Sequence, residues 1–107
     1  MLNPGLHSIL LELQHELRLL YGDRLERIVL FGSHARGSAE AGSDIDVLVV
    51  LRRPVQPGEE IHRTGPIVSA LSLKHDVVLS CTFVSVDRFD TEQSPLLMNV
   101  RREGVRI

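Results

Sequence analysis

Residues 27–51 read RIVLFGSHARGSAEAGSDIDVLVVL, two apolar runs of strand length flanking a polar, glycine-rich loop. The first run, Arg27 to Phe31, ends on Gly32-Ser33. The second, Ile45 to Leu51, is entered through Asp44 and Asp46 and is apolar at every position beyond Asp46. A strand with apolar residues on both faces belongs inside a sheet covered on two sides. Carboxylates at the mouth of such a strand are costly unless they are paired or bound to a cation. This segment therefore demands a covered sheet and something that offsets two acids at its edge.

Ten residues, His34 to Ser43, separate Ser33 from Asp44. Residues i and i+2 of a strand face the same side, about 7 Å apart at the backbone, so the tips of Asp44 and Asp46 can converge. Mg²⁺ takes oxygen ligands and is usually held by one or two carboxylates plus phosphate oxygens. An Asp-x-Asp pair can hold one such ion, or bridge two about 3.5–4 Å apart. Gly32 at a strand–helix turn lets the backbone approach a ligand closely. The Ser33 hydroxyl and the N–H groups of the following turn can bind phosphate oxygens. The parts needed for a nucleoside triphosphate and its metal thus lie in one short segment. A third acid, Asp76, opens the later run DVVLSCTFVSV. If that run is a strand beside the second one, Asp76 lies about 5 Å from an Asp-x-Asp residue, backbone to backbone. There it could take a proton from an attacking hydroxyl or share a second metal.

The remaining elements alternate in type, which indicates an α/β domain with a small mixed sheet of about three strands and flanking helices. A first helix is predicted over Pro4–Tyr21, with Asn3 as N-cap, Pro4 at the first helical position and Gly22 closing it. Leu6, Ile9, Leu10, Leu13, Leu17 and Leu20 form its apolar stripe. A second helix is predicted between Glu59 and Lys74, broken or kinked at Gly65-Pro66 because proline donates no backbone hydrogen bond. A last helix starts at Ser94-Pro95 and ends near Glu103-Gly104.

Gly32, Ser33, Asp44 and Asp46 at this spacing, with the later Asp76, resemble the DNA polymerase beta-type nucleotidyltransferase superfamily. The chain looks most like its minimal, single-domain branch, the antitoxins of HEPN/MNT toxin–antitoxin pairs. Arg36 and Gly37, three and four positions after the serine, fit the same pattern, as does the closing MNVRREGVRI. The resemblance covers nearly the whole chain and implies one minimal nucleotidyltransferase domain over residues 1–107. It implies transfer of a nucleoside monophosphate, AMP from ATP, onto a partner's hydroxyl with two Mg²⁺ ions. By it, Asp44, Asp46 and Asp76 are the catalytic and metal-binding acids, and Gly32, Ser33 and Arg36 bind the triphosphate. The implied partner is a small helical HEPN protein. An antitoxin that masks its partner without chemistry is the alternative, and a small-molecule transferase, which normally carries a second domain, fits less well.

Other readings are plainer. Arg36 serves the triphosphate or pairs with Glu40 at i+4. Ser43 shapes a turn, and His34 and His75 are read as solvated. Cys81 is a core residue, and Arg101, Arg102 and Arg106 are a solvated helix end rather than an RNA-binding tail. The formal charge of −2 is too small to argue for a nucleic-acid or membrane partner, and neither is expected. One cysteine excludes an internal disulfide, and no His/Cys group has zinc spacing. No apolar run reaches about 18 residues, and the N-terminus lacks the features of a signal peptide, so a cytoplasmic location is expected. Homo-oligomerisation is left open.

Overall fold

The computed structural model describes residues 3–107. Helix α1 (Pro4–Tyr21) leads through a 3-10 turn, Gly22–Arg24, into strand β1 (Leu25–Phe31). The short helix α2 (Ser33–Arg36), strand β2 (Ile45–Leu51), helix α3 (Pro57–His75) and strand β3 (Leu79–Ser85) follow. Helices α4 (Val86–Thr91) and α5 (Pro95–Glu103) and a short strand β4 (Val105–Arg106) complete the fold. The sheet order is β3-β2-β1-β4, with β2 and β3 parallel and β1 antiparallel to both β2 and β4.

Both faces of the sheet are covered, as the uninterrupted apolar run of β2 requires. Ile28, Leu30, Val47 and Val49 pack with Leu10, Leu13 and Leu17 of α1 and with Leu71 of α3. On the other face Val29, Leu48, Val50 and Val84 meet Phe89 of α4 and Leu97 and Val100 of α5. Because α4 and α5 cover only part of that second face, the end of it carrying Asp46 is left accessible. The caps follow local chemistry: Asn3 Oδ1 accepts from the Gly5 N–H at 2.8 Å, and Ser94 Oγ accepts from that of Leu97 at 3.3 Å.

Four expectations need correction. The sheet has four strands, because the chain end pairs Val105 with Leu30 and Arg106 with Val29. Helix α3 runs through Pro66 without a break. The carbonyl that loses a partner to Pro66 is that of His62, and both residues are exposed, so water can take its place. On α1, Leu20 is 40% exposed and Tyr21 is the buried residue of the last turn. The third strand begins at Leu79, and Val86, read as its end, already starts α4. Asp76 ends α3 in the left-handed conformation, φ 54° and ψ 50°, its N–H donating back to Leu73 and Ser72. Aspartate is one of the few residues that tolerate that conformation.

Candidate active site

The site begins where β1 ends. Phe31 pairs with Asp46 across the β1–β2 ladder, and Asp46 pairs with Ser80 across the β2–β3 ladder. Gly32 follows at φ 75° and ψ −155°. A side chain there would strike the Asp46 carboxylate, so only glycine lets the chain turn this close to the acid. The Gly32 carbonyl accepts from the N–H groups of Ala35 and Arg36, both at 3.1 Å, which folds Ser33–Arg36 into α2. Ser33 thus stands directly beside the acid at the first position of α2.

The loop between α2 and β2 is tied down by its own side chains. Ser43 Oγ accepts from the Glu40 N–H at 2.9 Å, while the Ser43 N–H donates to the Glu40 carbonyl at 3.0 Å. The His34 ring lies 3.2 Å from the Ser43 carbonyl, so this histidine is part of the loop's scaffold and not simply solvated. The loop delivers Asp44 to the start of β2, two residues before Asp46.

Asp46 is half-buried, and its carboxylate receives no hydrogen bond among the described residues. Burial pushes its pKa up and the charge of Asp44 pushes it further, opposed by His34 and Arg36. A cation held between the two acids would remove that repulsion. Two hard oxygen donors on one face fit Mg²⁺, with phosphate or water oxygens filling its other positions.

Asp76 is not gathered with this pair. It is exposed, lies outside β3, and lines a cavity of about 320 Å³ with His34, Glu40 and Ser43. The β3 position beside Asp46 belongs to Ser80. Among the described residues, no three His, Cys, Asp or Glu side chains are placed to hold one metal ion. Of the two readings of Arg36, the structure replaces the pairing with Glu40 by one with Glu103 at the end of α5, whose carboxylate lies 3.7 Å from the guanidinium. His75 contacts Glu12 at 2.5 Å rather than solvent alone. Arg101 is a tie rather than part of a solvated end, donating to the Phe89 carbonyl at 2.6 Å. Cys81 packs against the core, and burial pushes its thiol up to about 12.

Phe31 and Ser80, which flank Asp46 on the neighbouring strands, and Glu103, which meets Arg36, are contacts that motif spacing does not reveal. The first two follow only from strand register. Glu103 carried a signal, the Glu-Gly step that closes the last helix, but nothing local said that it would return to Arg36.

The model of the nucleotidyltransferase domain family matches residues 10–94. Two curated proteins of Methanocaldococcus jannaschii, each named "Putative protein adenylyltransferase", are similar. One is 35% identical over 73 residues, covering 68% of this chain and 73% of the relative. The other is 32% identical over 95 residues, covering 87% and 88%. Two solved structures share the fold. A toxin–antitoxin complex with AMP-PNP superposes with a TM-score of 0.65 at 20% identity, covering 89% of this chain and 68% of that one. A structure described as a "putative minimal nucleotidyltransferase" gives 0.59 at 24% identity and covers 95% of both chains. With the Gly-Ser turn, the Asp-x-Asp strand and this match over most of its length, the chain belongs to the nucleotidyltransferase domain family.

Proposed function

We propose that this chain transfers a nucleoside monophosphate, AMP from ATP, onto a hydroxyl of a partner protein, and that it is the antitoxin of a toxin–antitoxin pair with a HEPN-type partner. The observation that carries the reading is the Asp46 carboxylate, half-buried, pressed against Gly32 and without a hydrogen bond among the described residues, two residues from a second acid. Curated relatives named as adenylyltransferases and a fold neighbour crystallised with AMP-PNP support the nucleotide. Toxin–antitoxin neighbours support the partner.

Asp44 and Asp46 would hold Mg²⁺, which when bound neutralises phosphate charge. Gly32 and Ser33 receive the phosphates where the backbone is bare, and Arg36 adds positive charge beside them. The acceptor oxygen forms its bond to the α-phosphorus as the bond to pyrophosphate breaks, and the hydroxyl proton passes to solvent. The protein's part is positioning and charge stabilisation rather than covalent chemistry. Asp76 is left out of this scheme because it ends a helix outside the β2–β3 ladder.

That same placement favours one second reading, in which the chain neutralises its partner by binding alone. The β3 position beside Asp46 carries a hydroxyl, Ser80, and among the described residues no third acid completes the group. Incubation of the co-expressed partner with labelled ATP and Mg²⁺ separates the two. Transfer predicts label on the partner and its loss in an Asp44→Ala, Asp46→Ala double variant. Equal labelling by both proteins would refute the transfer scheme. No labelling, with neutralisation intact in the double variant, would establish the binding-only reading.

A further inference from the structure

The end of α5 brings an acid to the site from a distant part of the sequence. Arg36 Nη1 lies 3.7 Å from Glu103 Oε2, with side chains 50% and 33% exposed. The approach is close enough for charge but makes no hydrogen bond, so it is weak and readily exchanged. Arg36 lies on α2, which begins directly after Gly32, the residue that abuts Asp46. It thus links Glu103 to the turn beside the acid pair.

Glu103 is held there by construction. Gly104 has no room for a side chain, since a Cβ would meet Val29 Cγ1 at 2.6 Å and the Val100 carbonyl. Val105 and Arg106 then pair with Leu30 and Val29, and the Ile107 N–H donates to the Ile28 carbonyl at 3.1 Å. Gln14 of α1 donates to the Ile107 carbonyl at 3.1 Å. The chain end is thus stitched onto β1 immediately before Phe31 and Gly32. A carboxylate in the last turn of a helix opposes the helix dipole, and its local partner there is the exposed Arg102, whose Nη2 reaches Glu103 Oε1 at 3.4 Å and leaves Oε2 to Arg36.

We infer that Glu103 is a positioning residue that holds Arg36 at the rim of the site and yields it to the polyphosphate of the incoming nucleotide. The inference rests on the nucleotide-binding reading above. A phosphate offers the guanidinium two strong, charge-assisted hydrogen bonds in place of one loose ion pair. Glu103 is therefore a competitor of the ligand for Arg36, and it sets both affinity and salt dependence.

Binding of AMP-PNP and of inorganic tripolyphosphate, each with Mg²⁺, to the full chain tests this by calorimetry. Glu103→Gln should tighten both by about threefold to fivefold, the size of one surface ion pair. Arg36→Ala should weaken both by about tenfold, and Glu103→Gln should then have no further effect in that background. Where transfer is measurable, Glu103→Gln should lower KM for ATP without raising kcat. Unchanged or weaker binding by Glu103→Gln would overturn the inference. So would equal tightening with and without Arg36, which would mean a general field effect. Wild-type protein that binds neither probe would refute the nucleotide reading itself, and this inference with it.

Discussion

Glu60 and Asp46 are both drawn out of bulk water, and the fold treats the two carboxylates in opposite ways. Glu60, on α3, is 1% exposed and fully provided for. It accepts from the Tyr21 hydroxyl at 2.8 Å, from Arg24 Nη2 at 2.9 Å and from Arg63 at 3.2 Å. Burial would raise its pKa, but the hydrogen bonds of Arg24 and Tyr21 and the charges of Arg24 and Arg63 outweigh that and hold it below the usual range. Asp46 is only half-buried, yet among the described residues it has no hydrogen bond, a like charge lies nearby, and burial and that charge raise its pKa. The first is a solved problem that ties α1 and the turn after it to α3. The second is left unsolved by the protein alone, and an unsatisfied acid beside a bare backbone turn is where an external ligand gains most.

The contrast breaks most visibly at Glu60. Glu60→Ala should cost about 2–4 kcal/mol, below the upper range for broken buried pairs because Arg63 and part of Arg24 can reach water. Thermal melting should fall by about 10–20 °C. A loss under 1 kcal/mol would show that the network contributes little and that the two acids differ less than their geometry says. Asp46→Asn should do the reverse. Its melting temperature should stay level or rise, because a like-charge contact disappears, while nucleotidyl transfer should fall by about a hundredfold or more. A variant that melts well below wild type would place Asp46 among the structural acids.

The same division explains what could be read from the sequence. Asn3-Pro4 and Ser94-Pro95 name their helix starts because a cap and its first turn are local chemistry. The bounds of β2 and the Gly-Ser turn were legible for the same reason, whereas Asp44, expected on the strand with Asp46, lies just before β2 begins at Ile45. Glu60 was not singled out, since a glutamate in an early helical turn looks like an ordinary surface residue until Tyr21 and Arg24 are folded onto it. The place of Asp76 was not legible because of register: the chain spends two further residues, Val77 and Val78, before β3 begins, so Ser80 stands beside Asp46. Strand β4, two residues long, carries no periodicity at all, and α4 follows β3 so directly that its first residue, Val86, extends the apolar run of the strand. Pro66 was overridden by the burial of Glu60, Thr64 and Leu71, which anchors α3 on both sides of it. Local rules placed elements, and only the pairing of distant strands decided which acids meet.

The smallest effect is also the most diagnostic, because the two acids should pull stability in opposite directions with pH. A carboxyl whose pKa is lowered by folding stabilises the protein above its unfolded pKa, and that contribution is lost as pH falls through the folded value. Glu60 is this case, so its contribution is present at neutral pH and disappears in the acid range below the ordinary glutamate pKa of 4.5. A carboxyl whose pKa is raised behaves oppositely. Between the ordinary aspartate value of 3.8 and its higher folded value, Asp46 binds more protons folded than unfolded, so stability falls as pH rises. Denaturant titrations of wild type, Glu60→Gln and Asp46→Asn across pH 3 to 7 separate the two. Glu60→Gln should differ most from wild type at pH 7 and converge with it toward pH 3. Asp46→Asn should gain on wild type as pH rises, by under about 1 kcal/mol, because the group is partly solvated. Adding Mg²⁺ at pH 7 should erase that gain by stabilising wild type alone, since an ion that binds only the folded state shifts the equilibrium toward it. If Mg²⁺ stabilises wild type and Asp46→Asn equally, the ion binds elsewhere, and Asp46 is then an unsatisfied acid that has no metal to answer it.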